Sequence, residues 1–218
     1  MTGTNTNRQW EESVLSSFLD MVRAPDGDFP TLDRLNRAVS DRASFELMVE
    51  LLSQHPQGKA AFENHPRVGN LDPAQLKHLP ANTLGCVYAE HMIRNGLKPL
   101  QVEEEVESDF QFLSAHLKET HDIWHIVTGC NTDILGEIQL EAFYVAQLEV
   151  SRFWVSLLAK NLLKAVLYDI EVATKYMDAI ALGWVMGKQA KPLFGIAWNT
   201  LWETPLAEVR NSLNIELE

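Results

Sequence analysis

The segment 121–137, with the sequence HDIWHIVTGCNTDILGE, constrains the fold more than any other part of the chain. His121 and His125 are four residues apart, so on a helix they lie on one face, one turn above the other. Asp122 lies on the flank of that face, because it precedes His125 by three residues. Two imidazoles and a carboxylate grouped in this way predict half of a metal-binding site.

Glu137 can complete this site only if the helix ends between it and the histidines. On a continuous helix, a separation of about twelve residues would place Glu137 roughly 18 Å away from His125. Gly129 is a suitable residue to follow a helix, and each residue from Asn131 to Asp133 is a suitable N-cap for a new one. The sequence therefore predicts a helical hairpin that turns between Gly129 and Asp133 and brings Glu137 back to the histidines.

The composition fits one globular domain over residues 1–218. Of these residues, 46% are hydrophobic and 22% are charged, which allows a substantial core. The net charge of −12 argues against nucleic acid as a partner, because phosphate binding needs clustered Lys and Arg. Cys86 and Cys130 are the only cysteines and form no CxxC pair, so we expect a reducing compartment.

Sequence features also predict the location of the protein. The N-terminal sequence MTGTNTNRQWEES lacks the apolar core of a signal peptide and the Arg-rich character of a transit peptide. Uncharged apolar runs are far shorter than the roughly 18 residues that suggest a transmembrane helix. We therefore expect a cytoplasmic protein that is at most peripheral to a membrane.

Apolar spacing and capping residues predict helices along nearly the whole chain, and hence an all-α fold. The helix after the hairpin is expected to start near Asp133 and to run past residue 160, because its apolar residues continue without a visible break. The other predicted helices are 9–23, 32–39, 44–54, one that begins at Asn82 or Thr83 and ends at Asn95–Gly96, one that is capped by Ser108 and Asp109, one from Asp169 to about Gly187, and a final one after Thr204–Pro205.

The helix after the hairpin has apolar residues on more than one face. Such a helix is either the centre of a core or one wall of a hydrophobic channel beside the metal site, and the sequence leaves both interpretations open. If the channel exists, its candidate lipid-binding residues are Phe143, Tyr144, Phe153, Trp154 and Leu157.

The four candidate ligands could bind a metal or form a buried hydrogen-bond network. Their types favour a divalent metal, with Zn²⁺ as the first expectation and Fe²⁺, Mn²⁺, Co²⁺ or Mg²⁺ as alternatives. The metallopeptidase motif HExxH does not fit, because its second position needs a Glu and this chain has Asp122. The remaining histidines, including His91 and His116, are expected to be structural.

Four segments resemble, in order, the fourth of the Coq proteins of ubiquinone (coenzyme Q) biosynthesis. HDxxH followed by eleven residues and Glu is the signature of that family, and GEIQLEAF at 136–143 resembles the stretch that follows it. LPANTLGCVYAEHM at 79–92 is similar to the family's LP-x-x-TLG-x-x-Y segment. NTLWETPLAEVRNSLNI at 199–215 resembles its C-terminal ending. The resemblance spans roughly residues 80–215.

The resemblance implies an all-helical, usually dimeric protein that takes part in ubiquinone synthesis. It implies a divalent metal bound by His121, Asp122, His125 and Glu137 beside a hydrophobic channel for a polyprenyl tail. It also implies two roles: an organiser of the biosynthetic enzymes at the membrane surface, and oxidative decarboxylation at ring carbon 1 of a prenylated benzoate.

The chain departs from the family just before the metal motif. Family members commonly have R-x-R-E there, whereas this chain has HLKE at 116–119. Lys118 is the candidate contact for a polar head group, but it is a point charge and lacks the bidentate fork of an arginine. The resemblance therefore predicts the fold and the metal site more firmly than the substrate.

Three hypotheses follow. The first is a metal-containing protein that binds a prenylated quinone precursor or another isoprenoid, with decarboxylation or hydroxylation of a prenylated benzoate as its candidate reaction. The second is a non-catalytic scaffold or lipid carrier that organises quinone-biosynthesis enzymes at a membrane surface and whose metal is structural. The third is a metallohydrolase acting on phosphoesters or peptides, which the motifs favour least.

Overall fold

The fold is all-helical, as predicted. The structure is a computed structural model that describes residues 3–100 and 105–217, with side chains from residue 8 onward, and it contains no strand within those ranges. The α-helices are α1 (Gly3–Arg23), α2 (Phe29–Val39), α3 (Arg42–Ser53), α4 (Pro56–Asn64), α5 (Pro73–Leu76), α6 (Leu84–Asn95), α7 (Asp109–Thr128), α8 (Ile134–Leu148), α9 (Arg152–Tyr168), α10 (Ala173–Gln189) and α11 (Leu206–Ser212). None of the helices in these ranges has both the length and the apolar character that a bilayer span requires.

Local capping explains where most of these helices begin. Thr83 starts α6, since its hydroxyl accepts a hydrogen bond from the backbone N–H of Cys86. Ser108 caps α7 in the same way through the N–H of Gln111. These side chains satisfy backbone donors that have no partner inside the helix. The predicted start of α6 at Asn82 or Thr83 is thereby resolved in favour of Thr83.

The prediction of one helix from residue 133 past residue 160 is wrong. Helix α8 ends at Leu148, Glu149 has a positive φ of 58°, and α9 begins after Ser151, whose hydroxyl accepts from the N–H of Trp154. The apolar pattern continues across this break because both helices pack into the interior, so it contains no sign of a turn. The break places the predicted lipid-binding residues on two different helices.

The main core contains buried residues from Met48 to Ile215 and is centred on α7 and α8. Trp124 is completely buried there, stacked on Tyr144 with ring centroids 4.2 Å apart and edge-on to Phe143. A smaller cluster joins α1, α2 and α9 through Met21, Leu35, Val39 and Leu157. The two clusters hold α7, α8 and α9 in fixed positions.

Helix α10 lies directly against α8, and glycine makes this possible. A Cβ atom on Gly183 would lie 1.9 Å from the carbonyl oxygen of Gln139, which is far inside van der Waals contact. A Cβ on Gly187 would lie 2.7 Å from the Cβ of Ala146. The two helix backbones can therefore approach closely, and α10 supports the helix that contributes Glu137.

His116 is a structural residue at the junction of three segments, as predicted. Its Nδ1–H donates to the carbonyl of Pro66 at 3.2 Å, and its Nε2 accepts from the backbone N–H of Gly195 at 3.1 Å. The ring packs against Phe112 and Phe194. Burial lowers the pKa of His116 to about 4, so the imidazole is neutral and both of its nitrogens are satisfied.

We predict that the free energy of unfolding decreases as the pH falls from about 6.5 to about 4. In this interval the unfolded chain binds a proton at His116 and the folded chain does not, which costs up to about 3 kcal/mol of stability at the lower pH. His116→Gln should remove this part of the pH dependence, measured by urea unfolding at several pH values. His78→Gln, at an exposed position, is the control, and an identical pH dependence in both variants would contradict the prediction.

Candidate metal centre

The hairpin between α7 and α8 has the predicted form. Helix α7 ends at Thr128, and Gly129 follows in the left-handed conformation with φ of 71°. Helix α8 is capped by Asp133, whose carboxylate accepts from the backbone N–H of Gly136 at 2.9 Å. This confirms the predicted turn between Gly129 and Asp133, and the turn returns the chain so that Glu137 faces α7.

Three side chains converge at the hairpin. The Nε2 atoms of His121 and His125 are 3.3 Å apart. The Glu137 carboxylate lies 3.2 Å from Nε2 of His125 and 3.9 Å from Nε2 of His121. One donor atom from each residue lies within 4.8 Å of the other two. The side chain of His125 is only 1% exposed but that of Glu137 is 36% exposed, so the group can be reached from solvent.

Hydrogen bonds at the far side of each ring orient the two imidazoles. Nδ1 of His125 lies 3.0 Å from the carbonyl oxygen of Cys130. Because a carbonyl can only accept, Nδ1 carries a proton, and Nε2 is the ring nitrogen that faces Glu137 and would be available to a metal once its own proton is lost. Nδ1 of His121 contacts the hydroxyl of Tyr144 at 3.4 Å. Both Nε2 atoms are thus directed at the same point, as metal-binding histidines are when a second partner fixes their orientation.

The charges in this group also suit a divalent cation. Burial acts to lower the pKa of His125, but the Glu137 carboxylate outweighs it and the pKa is raised. Burial acts to raise the pKa of Glu137, yet the hydrogen bond from His125 lowers it overall. Burial lowers the pKa of His121 to about 4, so this ring is neutral. A divalent metal could take the place of the proton shared by His125 and Glu137, and we conclude that these residues fit the predicted ion.

Asp122 lies outside this convergent group. Among the described residues, the donor atoms that come together belong to His121, His125 and Glu137. Asp122 is still close enough to interact electrostatically with His125 and Glu137. Asp122 is 9% exposed, and burial raises its pKa. The observed arrangement has three protein donors, which leaves coordination positions for water or substrate.

The predicted lipid-binding residues form part of an aromatic stack beside His121. The Tyr144 ring lies parallel to Trp124 on one side and to Trp154 on the other, with centroid distances of 4.2 and 4.0 Å. The Trp154 ring is also parallel to His121 at 6.3 Å. Phe153 packs against Trp154 at 5.1 Å. The break after α8 creates this stack, because it turns Trp154 of α9 back onto Tyr144 of α8.

The packing in this region is closed. Phe143 and Tyr144 are completely buried, and Leu157 belongs to the smaller core cluster. Two cavities of about 470 and 200 Å³ open elsewhere on the described surface, and none of the five predicted residues lines either one. Phe153 and Trp154 are only half-buried, so they form the accessible edge of the stack. The channel therefore stays a prediction.

Lys118, the predicted contact for a polar head group, is exposed on α7 one turn before His121. Its ammonium group makes no ion pair or hydrogen bond with any residue that the structure describes. The position leaves Lys118 available to a ligand approaching from solvent, but the structure does not bring it into the group of donor atoms.

The sequence analysis missed a buried polar pair behind the site. Glu141 lies one turn after Glu137 and is 6% exposed, and its Oε2 accepts from Nδ2 of Asn161 at 2.8 Å. Burial raises the pKa of Glu141 to about 8 even though Lys160 lies nearby. A carboxyl group with this pKa can hold a proton near neutral pH. The sequence did contain one signal for Glu141: it follows Glu137 by four residues, so the two carboxyl groups lie on the same face of α8.

We predict that Gly129→Ala and Gly96→Ala have similar effects on stability but different effects on metal binding. Both glycines follow a helix with positive φ, 71° and 63°, so each alanine should cost about 1–2 kcal/mol. Gly129 also precedes Cys130, whose carbonyl orients His125. Gly129→Ala should therefore weaken Zn²⁺ binding about tenfold, measured by titration calorimetry, and equal affinities in the two variants would contradict this.

Comparison with known proteins connects this site to a family. Residues 2–218 match the family described as Coenzyme Q (ubiquinone) biosynthesis protein Coq4. The mitochondrial ubiquinone biosynthesis protein COQ4 homolog of Anopheles gambiae is 27% identical over 190 residues, which cover 81% of this chain and 63% of that protein. The mitochondrial ubiquinone biosynthesis protein coq4 of Aspergillus niger is 28% identical over 168 residues, which cover 74% of this chain and 56% of that protein. The chain thus spans about three-fifths of the length of these curated relatives.

A solved structure agrees with the same assignment. The crystal structure of a candidate ubiquinone biosynthesis protein from Nostoc punctiforme matches this fold with a TM-score of 0.84 and 26% sequence identity. The match covers 95% of this chain and 99% of that one. The relatives above are named mitochondrial, whereas the cytoplasmic location expected for this chain stays a prediction. Because the family match extends over nearly every residue, the resemblance found in the sequence is confirmed: the chain belongs to the Coenzyme Q (ubiquinone) biosynthesis protein Coq4 family.

Proposed function

We propose that this protein binds a divalent metal and a prenylated quinone precursor or related isoprenoid, with the polar head of the ligand at the metal. The observation that supports the proposal most strongly is the convergence of three donor atoms from His121, His125 and Glu137. Both histidines present Nε2 to the same point, since their Nδ1 atoms already have partners. A buried group of this kind would otherwise be costly to keep.

The donor set of two imidazoles and one carboxylate suits Zn²⁺ first, with Fe²⁺, Mn²⁺, Co²⁺ or Mg²⁺ as alternatives. When bound, such an ion would polarise the ring carboxylate of the ligand as a Lewis acid. Glu141 would hold a proton close to this position, given its raised pKa. The half-buried side chains of Phe153 and Trp154 would cover the first part of the apolar tail.

Family membership supports a role in ubiquinone synthesis. The candidate reaction is oxidative decarboxylation at ring carbon 1 of a prenylated benzoate. A carboxylate held at a metal beside an apolar surface is the arrangement that such a substrate needs, because its charged and apolar parts are separate. In this reaction the bond between ring carbon 1 and its carboxylate would break with release of CO2, and a hydroxyl group would form there from one atom of O2, while an external two-electron reductant converts the other atom to water. Because Zn²⁺ has no redox chemistry, this reaction would need a redox-active ion such as Fe²⁺ in the same three donors, whereas binding of the ligand would not.

We predict that the protein binds one equivalent of Zn²⁺ and that the three converging donors account for most of the affinity. His125→Gln and Glu137→Gln should each weaken Zn²⁺ binding by about tenfold or more, because each substitution removes one ligand of the ion. His78→Gln, at an exposed position, should have no effect. Asp122→Asn tests the fourth predicted ligand, and an effect as large as that of Glu137→Gln would show that Asp122 binds the ion.

Removal of the metal separates a functional site from a structural one. If the site is functional, the protein in chelator should keep its helical circular dichroism and lose affinity for a prenylated hydroxybenzoate. If the metal is structural, the chain should unfold in chelator. The absence of ligand binding to the metal-loaded protein, monitored by the fluorescence of Trp154 and its neighbours, would count against the proposed ligand.

A second candidate function, a scaffold at a membrane surface, is favoured by a different part of the fold. Exposed apolar side chains lie on the outer face of α10, opposite the face that packs on α8, and at the end of α9. Residues 152–191 contain six basic and three acidic side chains, although the whole chain has a net charge of −12. Apolar and basic groups together favour an anionic lipid surface. The large exposed residues are Val166, Leu167, Tyr168, Ile170, Met177, Leu182, Trp184 and Val185.

We predict that the protein sediments with vesicles containing phosphatidylglycerol and less with vesicles of phosphatidylcholine alone. Leu182→Glu should reduce this binding, because it places a carboxylate in the apolar face of α10. Leu47→Glu is a matched control, since Leu47 is 44% exposed on α3 and Leu182 is 45% exposed. Equal binding of the two variants would exclude this face as the membrane contact.

The proposed partners include a second copy of the chain and other quinone-biosynthesis enzymes, as the family resemblance implies. Sedimentation equilibrium of the purified chain tests the homodimer directly. If Leu182→Glu converts a dimer to a monomer and leaves vesicle binding unchanged, the exposed face of α10 is a subunit interface and the membrane contact lies elsewhere.

A further inference from the structure

A polar cavity is lined by His125 and by none of the stacked residues Trp124, Tyr144 and Trp154. Its volume is about 470 Å³, within the range of about 300–1,000 Å³ that small-molecule sites occupy. Helix α6 contributes His91, Arg94 and Asn95, and α11 contributes Arg210. The turn of the metal hairpin forms the remaining wall. The cavity and the predicted metal site therefore share His125.

Two guanidinium groups line this cavity without a carboxylate partner. Arg94 is exposed in the last turn of α6 and makes no hydrogen bond or ion pair with any residue in the described ranges. Arg210 donates from Nε to the carbonyl of Val127 at 3.0 Å and from Nη2 to that of Ile126 at 2.7 Å. Its remaining nitrogen, Nη1, has no partner among the described residues. Two cations in one cavity are unexpected in a chain with a net charge of −12.

His91 adds a buried donor that lacks an acceptor. Nδ2 of Asn95 donates to the carbonyl of His91 at 3.0 Å and lies 3.4 Å from Nδ1 of the same ring. Nδ1 therefore accepts, and the proton of the neutral ring is on Nε2. His91 is 7% exposed, and no described residue is a hydrogen-bond partner of its Nε2. A buried N–H without an acceptor is unfavourable, so an acceptor oxygen placed at Nε2 would stabilise the site.

Asp133 contributes the single carboxylate that lines the cavity among residues 3–100 and 105–217. It is occupied by the N-terminus of its own helix, where it accepts from Gly136. From the described residues, the lining of the cavity thus includes two guanidinium groups, a histidine with an unused N–H donor, and one carboxylate that already caps a helix. Arginine side chains bind carboxylates and phosphates through paired, charge-assisted hydrogen bonds.

We propose that this cavity is an oxyanion-binding site in which Arg94 and Arg210 hold a carboxylate or a phosphate group beside His125. The proposal deepens the function proposed above, since the oxyanion would be the charged end of the same ligand. Only the identity of the ligand rests on the proposed function, because the contacts of an oxyanion with Arg94 and Arg210 require no metal. His91 acts as an additional donor to the bound oxygen.

The test uses inorganic phosphate and benzoate as separate probes of the full chain. Each is titrated into metal-free protein in the presence of a chelator and again into Zn²⁺-loaded protein, with binding followed by two-dimensional NMR. We expect saturable binding in metal-free protein, with shifts confined to amides of the cavity wall. Binding of phosphate alone identifies the preferred oxyanion as a phosphate, and binding of benzoate alone identifies it as a carboxylate. Either result supports the site.

Arg94→Gln should weaken this binding about tenfold, as expected for the loss of one charge-assisted contact. Arg23→Gln is the matched control, because Arg23 is also an exposed arginine in the last turn of its helix. His91→Phe removes the buried donor while keeping an aromatic ring, and should weaken binding as well. No saturation with either anion, or equal weakening by Arg94→Gln and Arg23→Gln, would overturn the proposal. Because anion binding is first measured in metal-free protein, its result is distinguishable from a failure of the metal proposal.

Discussion

The hydrogen bond between Nδ1 of His125 and the carbonyl of Cys130 is the contact on which the site depends. It fixes the tautomer of a buried imidazole and directs Nε2 at Glu137. The carbonyl can reach the ring only because the chain reverses directly after α7, which requires the positive φ of Gly129. One turn thus positions both sides of the candidate metal site, since it orients His125 and returns Glu137 to it.

The rest of the fold keeps this turn rigid. The rings of Trp124, Tyr144 and Trp154 are stacked in one row and connect α7, α8 and α9. The hydroxyl of Tyr144 contacts His121, so the row of rings also orients the second imidazole. Helix α10 packs on the opposite face of α8, where Gly183 allows backbone contact. Ligand-binding residues held by packed helices keep their positions better than residues on loops.

Features encoded in a few adjacent residues could be predicted from the sequence, and features that depend on distant residues could not. The hairpin was predictable because Gly129 and Asp133 act locally as helix end and helix cap. The break at Glu149 was not, since this residue adopts a positive φ without being Gly or Asn and the apolar pattern continues on both sides. Among the described residues, the converging donors do not include Asp122, and the sequence could not show this, because the helical spacing of Asp122 fits a ligand as well as it fits a neighbour. The cavity draws Arg94 and Arg210 from opposite parts of the sequence, and no local signal relates them.

The two histidines divide the site into chemically different sides. His121 faces the aromatic row, through Tyr144 and Trp154, whereas His125 lines the cavity with the two arginines. Because their Nε2 atoms are 3.3 Å apart, a ligand at this point would meet both sides at once. A molecule with an anionic group at one end and an apolar tail at the other matches this division, since each end would find its complement without burying an unpaired charge. A peptide or a phosphoester without a tail would leave the aromatic side unused, so the proposed amphiphilic ligand matches the two sides better than the substrates of a metallohydrolase.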